Sequence, residues 1–322
     1  MNTSLFSQER IVIIAAALIA VLASVSLSGF LNVTNAVTIV RSISVLGIFA
    51  LGMAIVVIGR GIDLSMVAVM AMSVAWYLQM LNSGRSELFA LSLVLLAVVF
   101  IGLVNGFLVA YVRVPPIFVT LATGLFVFGF VRSQLIPSDA IAVPNGHWLE
   151  AVGKFRLAGL PADVLVFIVL SLLVFLFLRF TKWGRYAYFA GDNPVTARIT
   201  GMPVRPMILL RYTLAALFSF IAGLLTAASL LSIQTRVINS SLLYDIILVV
   251  VIGGIGLSGG KGGVRNVLVG AALIGILLNA LTIADVSLLF QNLIKSAILL
   301  VAIILDGVLN PRDEQTAQQG DI

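Results

Sequence analysis

The chain has 322 residues, of which 61% are hydrophobic and only 10% charged, with a mean hydropathy of +1.18. A soluble globular protein carries about 25% charged residues, so a soluble domain of useful size is excluded, and apolar runs that are continuous rather than alternating exclude a closed β-barrel. The net charge is +6, but the basic residues sit in short segments between apolar runs, where they orient membrane spans rather than bind nucleic acid.

A bilayer core takes about 20 apolar residues per helix. On that basis hydropathy predicts an all-α polytopic membrane protein, one domain over 1–322, with about ten transmembrane helices at 11–28, 38–58, 66–81, 88–112, 116–136, 162–180, 207–230, 241–257, 266–283 and 290–309. The first run, Ile11 to Ser28, is longer than the roughly 7–15-residue apolar region of a signal peptide. It follows Glu9 and Arg10 rather than a clearly basic flank, so it reads as a retained span. Placing the N-terminus inside puts eleven basic residues inside or at that interface against seven outside, which favours both termini in the cytoplasm.

Between the second and third spans the chain reads I-G-R-G-I-D-L-S, Ile58 to Ser65. Arg60 and Asp63 interrupt two uncharged runs, and either at mid-bilayer costs about 3 kcal/mol on insertion scales. Three readings stay open: an interface-level turn with both charges hydrated, a cap in which Asp63 meets the free N–H groups of a helix from Leu64 onward, or a substrate or proton site. The ten-span map puts both residues at the cytoplasmic end of the second span, which favours a capped turn at the interface. Asn105 and Asn279 lie within spans, each as an interhelical hydrogen-bonding amide or a residue of the path. Arg211 and Lys295, near span ends, are expected to snorkel.

Two connections are long enough to hold structure. The outer one, Pro137 to Pro161, contains His147, Trp148 and Glu150; the inner one is Thr181 to Pro206. In the inner one Asn193 can cap, Pro194 suits a first helical position and Gly201 is a natural stop. They predict a short helix over Val195 to Thr200, a shape suited to docking another protein. The glycine-rich stretch Gly253 to Gly263 reads as a packed turn or a gate, and 310–322 as a short polar tail.

No motif for covalent, metal or nucleotide chemistry is present. With one histidine and no cysteine there is no Cys/His metal site, and no G-x-S-x-G elbow appears. Gly259-Gly260-Lys261-Gly262 fails as a phosphate loop, because position 255 is Ile255 and Gly262 follows the lysine where Ser or Thr is needed. No cofactor is expected.

Four segments resemble the ribose/xylose-type ABC sugar permeases. Gly59, Arg60, Gly61, Asp63 and Ser65 lie in a stretch similar to G-G-I-D-L-S, with Arg60 in place of the first glycine. Val114 to Leu121 is similar to V-P-P-F-I-V-T-L. Gly191, Asp192, Asn193, Pro194, Ala197, Arg198, Thr200 and Gly201 lie in a stretch similar to G-x-N-x-x-A-A-x-x-S-G-I, with Thr196, Thr200 and Met202 as departures. Gly253, Gly254, Gly259 and Gly260 are the glycines of a stretch similar to V-I-G-G-x-x-L-x-G-G.

The resemblance implies a fold of the vitamin-B12-importer type and a permease, not an enzyme, in a bacterial inner membrane. It implies a second permease subunit, identical or paralogous, a cytoplasmic ATP-binding subunit docked on the 181–206 loop, and a periplasmic binding protein that delivers a monosaccharide. The alternatives are an ion-coupled secondary transporter of a small polar solute, which wants a carboxylate at midplane, and an intramembrane enzyme, for which no convincing polar pair exists.

Overall fold

The computed structural model describes residues 8–309. In chain order the helices are α1 (Gln8–Ser26), α2 (Val33–Ile58), α3 (Met66–Asn82), α4 (Glu87–Phe107), α5 (Pro116–Gln134), α6 (Trp148–Lys154), α7 (Ala162–Phe180), α8 (Lys182–Asp192), α9 (Pro194–Ile199), α10 (Val204–Leu230), α11 (Leu242–Ile252), α12 (Val264–Ile283) and α13 (Leu288–Leu309). A π-helical turn, Leu108–Val112, extends α4. The strands are β1 (Ala140–Ala142), β2 (Arg156–Leu157), β3 (Leu160–Pro161) and β4 (Ser232–Gln234). Among the described residues seven helices are long and apolar enough to cross a bilayer: α1, α2, α4 with its π turn, α5, α7, α10 and α12. The chain is a polytopic all-α membrane protein.

Each of the ten expected spans holds a helix, but α3, α11 and α13 lie outside these seven, and α11 departs most. The run 241–257 is helical only as α11, over Leu242–Ile252. Eleven residues rise about 17 Å, too little for a hydrocarbon core of about 30 Å. The helix stops because Gly253 to Gly263 folds into irregular backbone, which lipid does not tolerate unless protein covers it. That cover is close: Asn266 of α12 donates from Nδ2 to the Gly253 carbonyl at 2.7 Å. The polar tail expected over 310–322 lies outside the described residues.

The core is built on α2, α3, α10 and α11. Leu46 to Ile58 of α2 and Met66 to Ala75 of α3 are buried without a break, so neither helix offers a lipid face there. Helix α10 packs along α4, α2 and α3. Its approach to α4 is backbone to backbone, since a Cβ at Gly102 would lie 2.5 Å from Thr213 Cα and one at Gly106 2.5 Å from Leu209 Cα. Small residues allow such crossings where no hydrophobic force drives association. Outside this core, α4, α5, α7 and α13 present Leu96, Phe100, Phe126, Leu172 and Leu300 outward, an apolar surface fit for lipid.

Two buried charges correct the snorkelling expectation. Arg211 is enclosed between α10 and the end of α2, where a Cβ at Gly59 would overlap its Nη1. Lys295 faces Asp245 across α13 and α11 at 3.0 Å, so an ion pair takes the place of water.

At the end of the bundle away from α8, β1 pairs antiparallel with β4, Ile141 opposite Ile233. Asp139 clasps this junction, accepting from Arg236 Nε and Arg132 Nε, each at 2.8 Å. These two guanidinium groups, Arg236 first, hold its carboxyl below the ordinary value of 3.8. Because the folded value is depressed, the clasp's contribution is present above pH 3.8 and is lost as pH falls through the lower folded value. Exposed ion pairs add little to global stability, so Asp139→Asn should leave the melting temperature nearly unchanged. It should raise protease cleavage within 137–161 severalfold at pH 7, to the rate that the native chain reaches only in acid.

Candidate functional site

Three turns meet at the end of the bundle that carries α8 and α9. The first joins α2 to α3 over residues 59–65, the second is the end of α8, and the third lies between α11 and α12. Gly260 donates its N–H to the Ile58 carbonyl at 2.8 Å. The end of α8 closes on both: a Cβ at Gly191 would lie 1.9 Å from Ile58 O and 2.6 Å from Gly260 N. Tyr188 of α8 adds a third link, donating to the Gly262 carbonyl at 2.8 Å.

Arg60 ties the first turn to the second. Its Nε donates to the Gly191 carbonyl at 2.5 Å and its Nη2 to the Asp192 carbonyl at 2.6 Å. These are among the last carbonyls of α8, which a helix leaves without internal partners and which carry its negative end. Arg60 itself has φ 63°, a left-handed conformation that disfavours any residue with a Cβ by about 1–2 kcal/mol. The side chain therefore offsets a backbone cost by its bonds to α8.

One layer deeper, the α2–α3 break is held from every side. Asp63 is buried rather than hydrated, and its Oδ1 accepts from Ser65 N–H at 2.9 Å and Ser65 Oγ at 2.5 Å. Helix α3 starts at Met66, so Asp63 caps the turn before the helix and not a helix from Leu64. Asn105 of α4 donates to Ser65 Oγ at 3.0 Å, Leu64 N–H donates to Thr120 Oγ1 of α5 at 3.0 Å, and Tyr212 of α10 donates to the Ile62 carbonyl at 3.3 Å. Gly59 and Gly61 take the close approaches of Arg211 and the Tyr212 hydroxyl.

Helix α9 is capped as its sequence suggests: Asn193 Oδ1 accepts from Thr196 N–H at 2.9 Å with Pro194 at the first position, and Gly201 follows with φ +77°. Its helical bounds, Pro194–Ile199, lie one residue earlier than expected. Ala197 is buried and seats α9 on the bundle, while Asp192, Arg198 and Thr200 are exposed. Sequence reasoning did not single out Val195 and Ile199, which expose 49% and 81% of their surface on a polar segment. Their spacing of four residues was the available signal.

The remaining residues lie apart. Gly253 and Gly254 start the third turn against α12. Asn279 is at the opposite end of the bundle, where it exchanges hydrogen bonds with Asn35 of α2 at 2.8 and 3.0 Å. Among the described residues no cluster of metal-binding side chains exists.

The family of branched-chain amino acid transport system permease components matches residues 35–303. The ribose import permease of Bacillus subtilis is 30% identical over 289 residues, 90% of this chain and 89% of that protein. The ribose import permease of Escherichia coli K12 is 30% identical over 302 residues, covering 93% and 94% of the two chains. The galactose/methyl galactoside import permease of Salmonella typhimurium is 29% identical over 301 residues, covering 87% and 88%. No solved structure matches the chain. With most of its length matched, apolar helices included, the chain belongs to the family of branched-chain amino acid transport system permease components and is of the ribose-type ABC sugar permease kind.

Proposed function

We propose that the chain is the membrane permease subunit of a bacterial ABC importer and carries a monosaccharide across the inner membrane. A periplasmic binding protein delivers the sugar, and ATP is hydrolysed on a separate cytoplasmic subunit. Two permease subunits, identical or paralogous, form the channel, each in the vitamin-B12-importer arrangement with both termini in the cytoplasm. The observation that carries this reading is the full-length similarity to ribose and galactose import permeases. The absence of any phosphate-loop pattern in the sequence agrees with hydrolysis on a partner chain.

The junction of three turns suggests how the stroke is transmitted. The ATP-binding subunit docks on α9 through Val195 and Ile199. Closure of that subunit shifts α9 and the end of α8, and Arg60 passes the displacement to the α2–α3 turn. That turn is bonded to α4, α5 and α10, so the spans tilt together around the path. Rigid elements with discrete bonds are the physical means by which such coupling travels.

A double substitution tests the docking face. Val195→Asp with Ile199→Asp removes two exposed apolar contacts without touching the Asn193 cap or the buried Ala197. Copurification of the ATP-binding subunit should fall at least tenfold while the permease inserts at its normal level. Normal copurification and normal transport would refute the docking assignment. An ion-coupled mechanism has one observation in its favour, since Asp63, Asp163 and Asp245 are all buried. Each has a bonded partner on the protein. Transport that survives ATP depletion and collapses with an uncoupler would support that mechanism instead.

A further inference from the structure

The end of α4, the link from α9 to α10 and the first turn of α10 enclose a hollow of about 370 Å³, within the range of small-molecule sites, about 300–1,000 Å³. Its wall holds Arg113, Arg198 and Arg205 and no acidic residue. Elsewhere Arg41, Arg132, Arg236 and Arg265 each meet a carboxylate. Among the described residues Arg113, Arg198 and Arg205 meet none. The guanidinium carbon of Arg205 lies 5.2 Å from the centre of the Tyr111 ring, a cation–π contact that uses none of its N–H donors. Helix α10 starts in the same wall without a side-chain cap at Pro203, so its positive end adds to the field. Three cations gathered without a counter-charge repel one another, and a bound anion removes that cost.

The surroundings say which anion. With its π turn, α4 runs for 26 residues, about 39 Å, which exceeds a hydrocarbon core of about 30 Å. Tyr111 and Arg113 therefore stand at headgroup level, where tyrosine is favoured. From there an exposed apolar stripe runs along α4 through Phe107, Leu103, Phe100 and Leu96, each three or four residues from the last and so on one face. Phe107 stacks on Tyr111 with ring centroids 5.2 Å apart, which joins the stripe to the hollow. A phosphate in the hollow with an acyl chain along the stripe is a phospholipid lying as it lies in a bilayer. A soluble phosphate or an acidic peptide matches the charge but leaves the stripe unused.

We infer that this hollow binds the phosphate of an anionic phospholipid from the leaflet on the α9 side, with Arg113, Arg198 and Arg205 as its ligands and the α4 stripe as the bed of an acyl chain. Guanidinium groups suit the task, since their planar fork matches two phosphate oxygens at once. The lipid bridges the end of α4 to the link between α9 and α10, and so braces the segment that carries α9. The inference goes beyond the permease reading and needs only that α4 crosses a bilayer, whichever solute is carried.

The permease, purified with the subunits that accompany it, is placed in phosphatidylcholine nanodiscs with a small fixed fraction of phosphatidylglycerol bearing a diazirine on one acyl chain. On illumination the label should map to residues 96–111 at least fivefold above the same probe with a choline headgroup. Unlabelled phosphatidylglycerol should compete, and millimolar inorganic phosphate should not. Arg113→Gln with Arg205→Gln should cut the labelling at least fivefold, while Arg113→Lys with Arg205→Lys, which keeps both charges, should retain most of it. Labelling of the lipid face of α7 reports insertion of each variant. If the Gln pair does not insert, the headgroup comparison and the phosphate competition on the unsubstituted protein decide alone. Equal labelling by the two headgroups, undiminished labelling in an inserted Gln pair, or displacement by phosphate as strong as by phosphatidylglycerol would overturn the site. So would loss of the ATP-binding subunit from the Gln pair with labelling unchanged, which would make the hollow a contact for an acidic protein surface. Sugar uptake plays no part in the readout, so failure of this site and failure of the importer reading stay distinct.

Discussion

Replacing Arg60 with glycine should leave the fold intact and cut ATP-driven uptake by about tenfold or more, where tenfold corresponds to about 1.4 kcal/mol. The backbone at this position has φ 63°, which glycine adopts freely, so the turn itself should gain about 1 kcal/mol of ease. What is lost is the pair of bonds from the guanidinium to the Gly191 and Asp192 carbonyls. Hydrogen bonds from charged groups are worth about 1.5–3 kcal/mol each. The link from α8 to the α2–α3 turn should therefore weaken far more than the turn is relieved. Arg60→Lys should fall between the two, because one ammonium cannot span two carbonyls as a planar fork does. Uptake, ATPase rate and copurification separate the outcomes: hydrolysis and docking persist in Arg60→Gly while uptake drops. Wild-type uptake in that variant would show that Arg60 only decorates the turn.

The main helices were legible in the sequence because a bilayer demands long apolar runs. The same rule misled at 241–257, where the run stays apolar past Ile252 although the helix ends. The glycines from Gly253 onward mark a turn there, but the cover that lets the helix stop comes from α12, through Asn266. Helix α9 was legible from Asn193-Pro194 and Gly201, which act within a few residues of where they stand. Helix α8 was not, because Lys182 to Asp192 mixes charged and aromatic residues. Its buried face is nonetheless regular: Gly184, Ala187, Ala190 and Gly191 recur at helical spacing, a small-residue stripe rather than the large apolar one usually sought. The pairs Arg41–Asp163 and Lys295–Asp245 join residues far apart in the chain. A snorkelling lysine and an ion-paired one look the same in sequence. The role of Arg60 stayed open for the same reason, since its partners are backbone carbonyls of α8.

Gly191→Ala should be the more damaging of the junction variants. Its added carbon would fall 1.9 Å from Ile58 O and 2.6 Å from Gly260 N, two atoms already joined by a hydrogen bond of 2.8 Å. No side chain can turn aside to make room, so the end of α8 must lift away from both turns. Overpacking costs about 1–3 kcal/mol where neighbours can shift, and backbone neighbours shift least. Lifting α8 also carries the Gly191 and Asp192 carbonyls out of reach of Arg60, so this variant contains the loss of Arg60→Gly and adds to it. Uptake should fall to background. Insertion should be normal, because α8 is not one of the apolar spans. Gly201→Ala is the matched control: its φ is +77°, but no atom lies within 4 Å of the added carbon. It should carry only the left-handed backbone cost of about 1–2 kcal/mol, paid within a surface loop, and should retain most of its uptake. Vesicles prepared with each variant at equal permease content decide the matter. Equal uptake by Gly191→Ala and Gly201→Ala would mean that contact between α8 and the two turns does not carry the stroke.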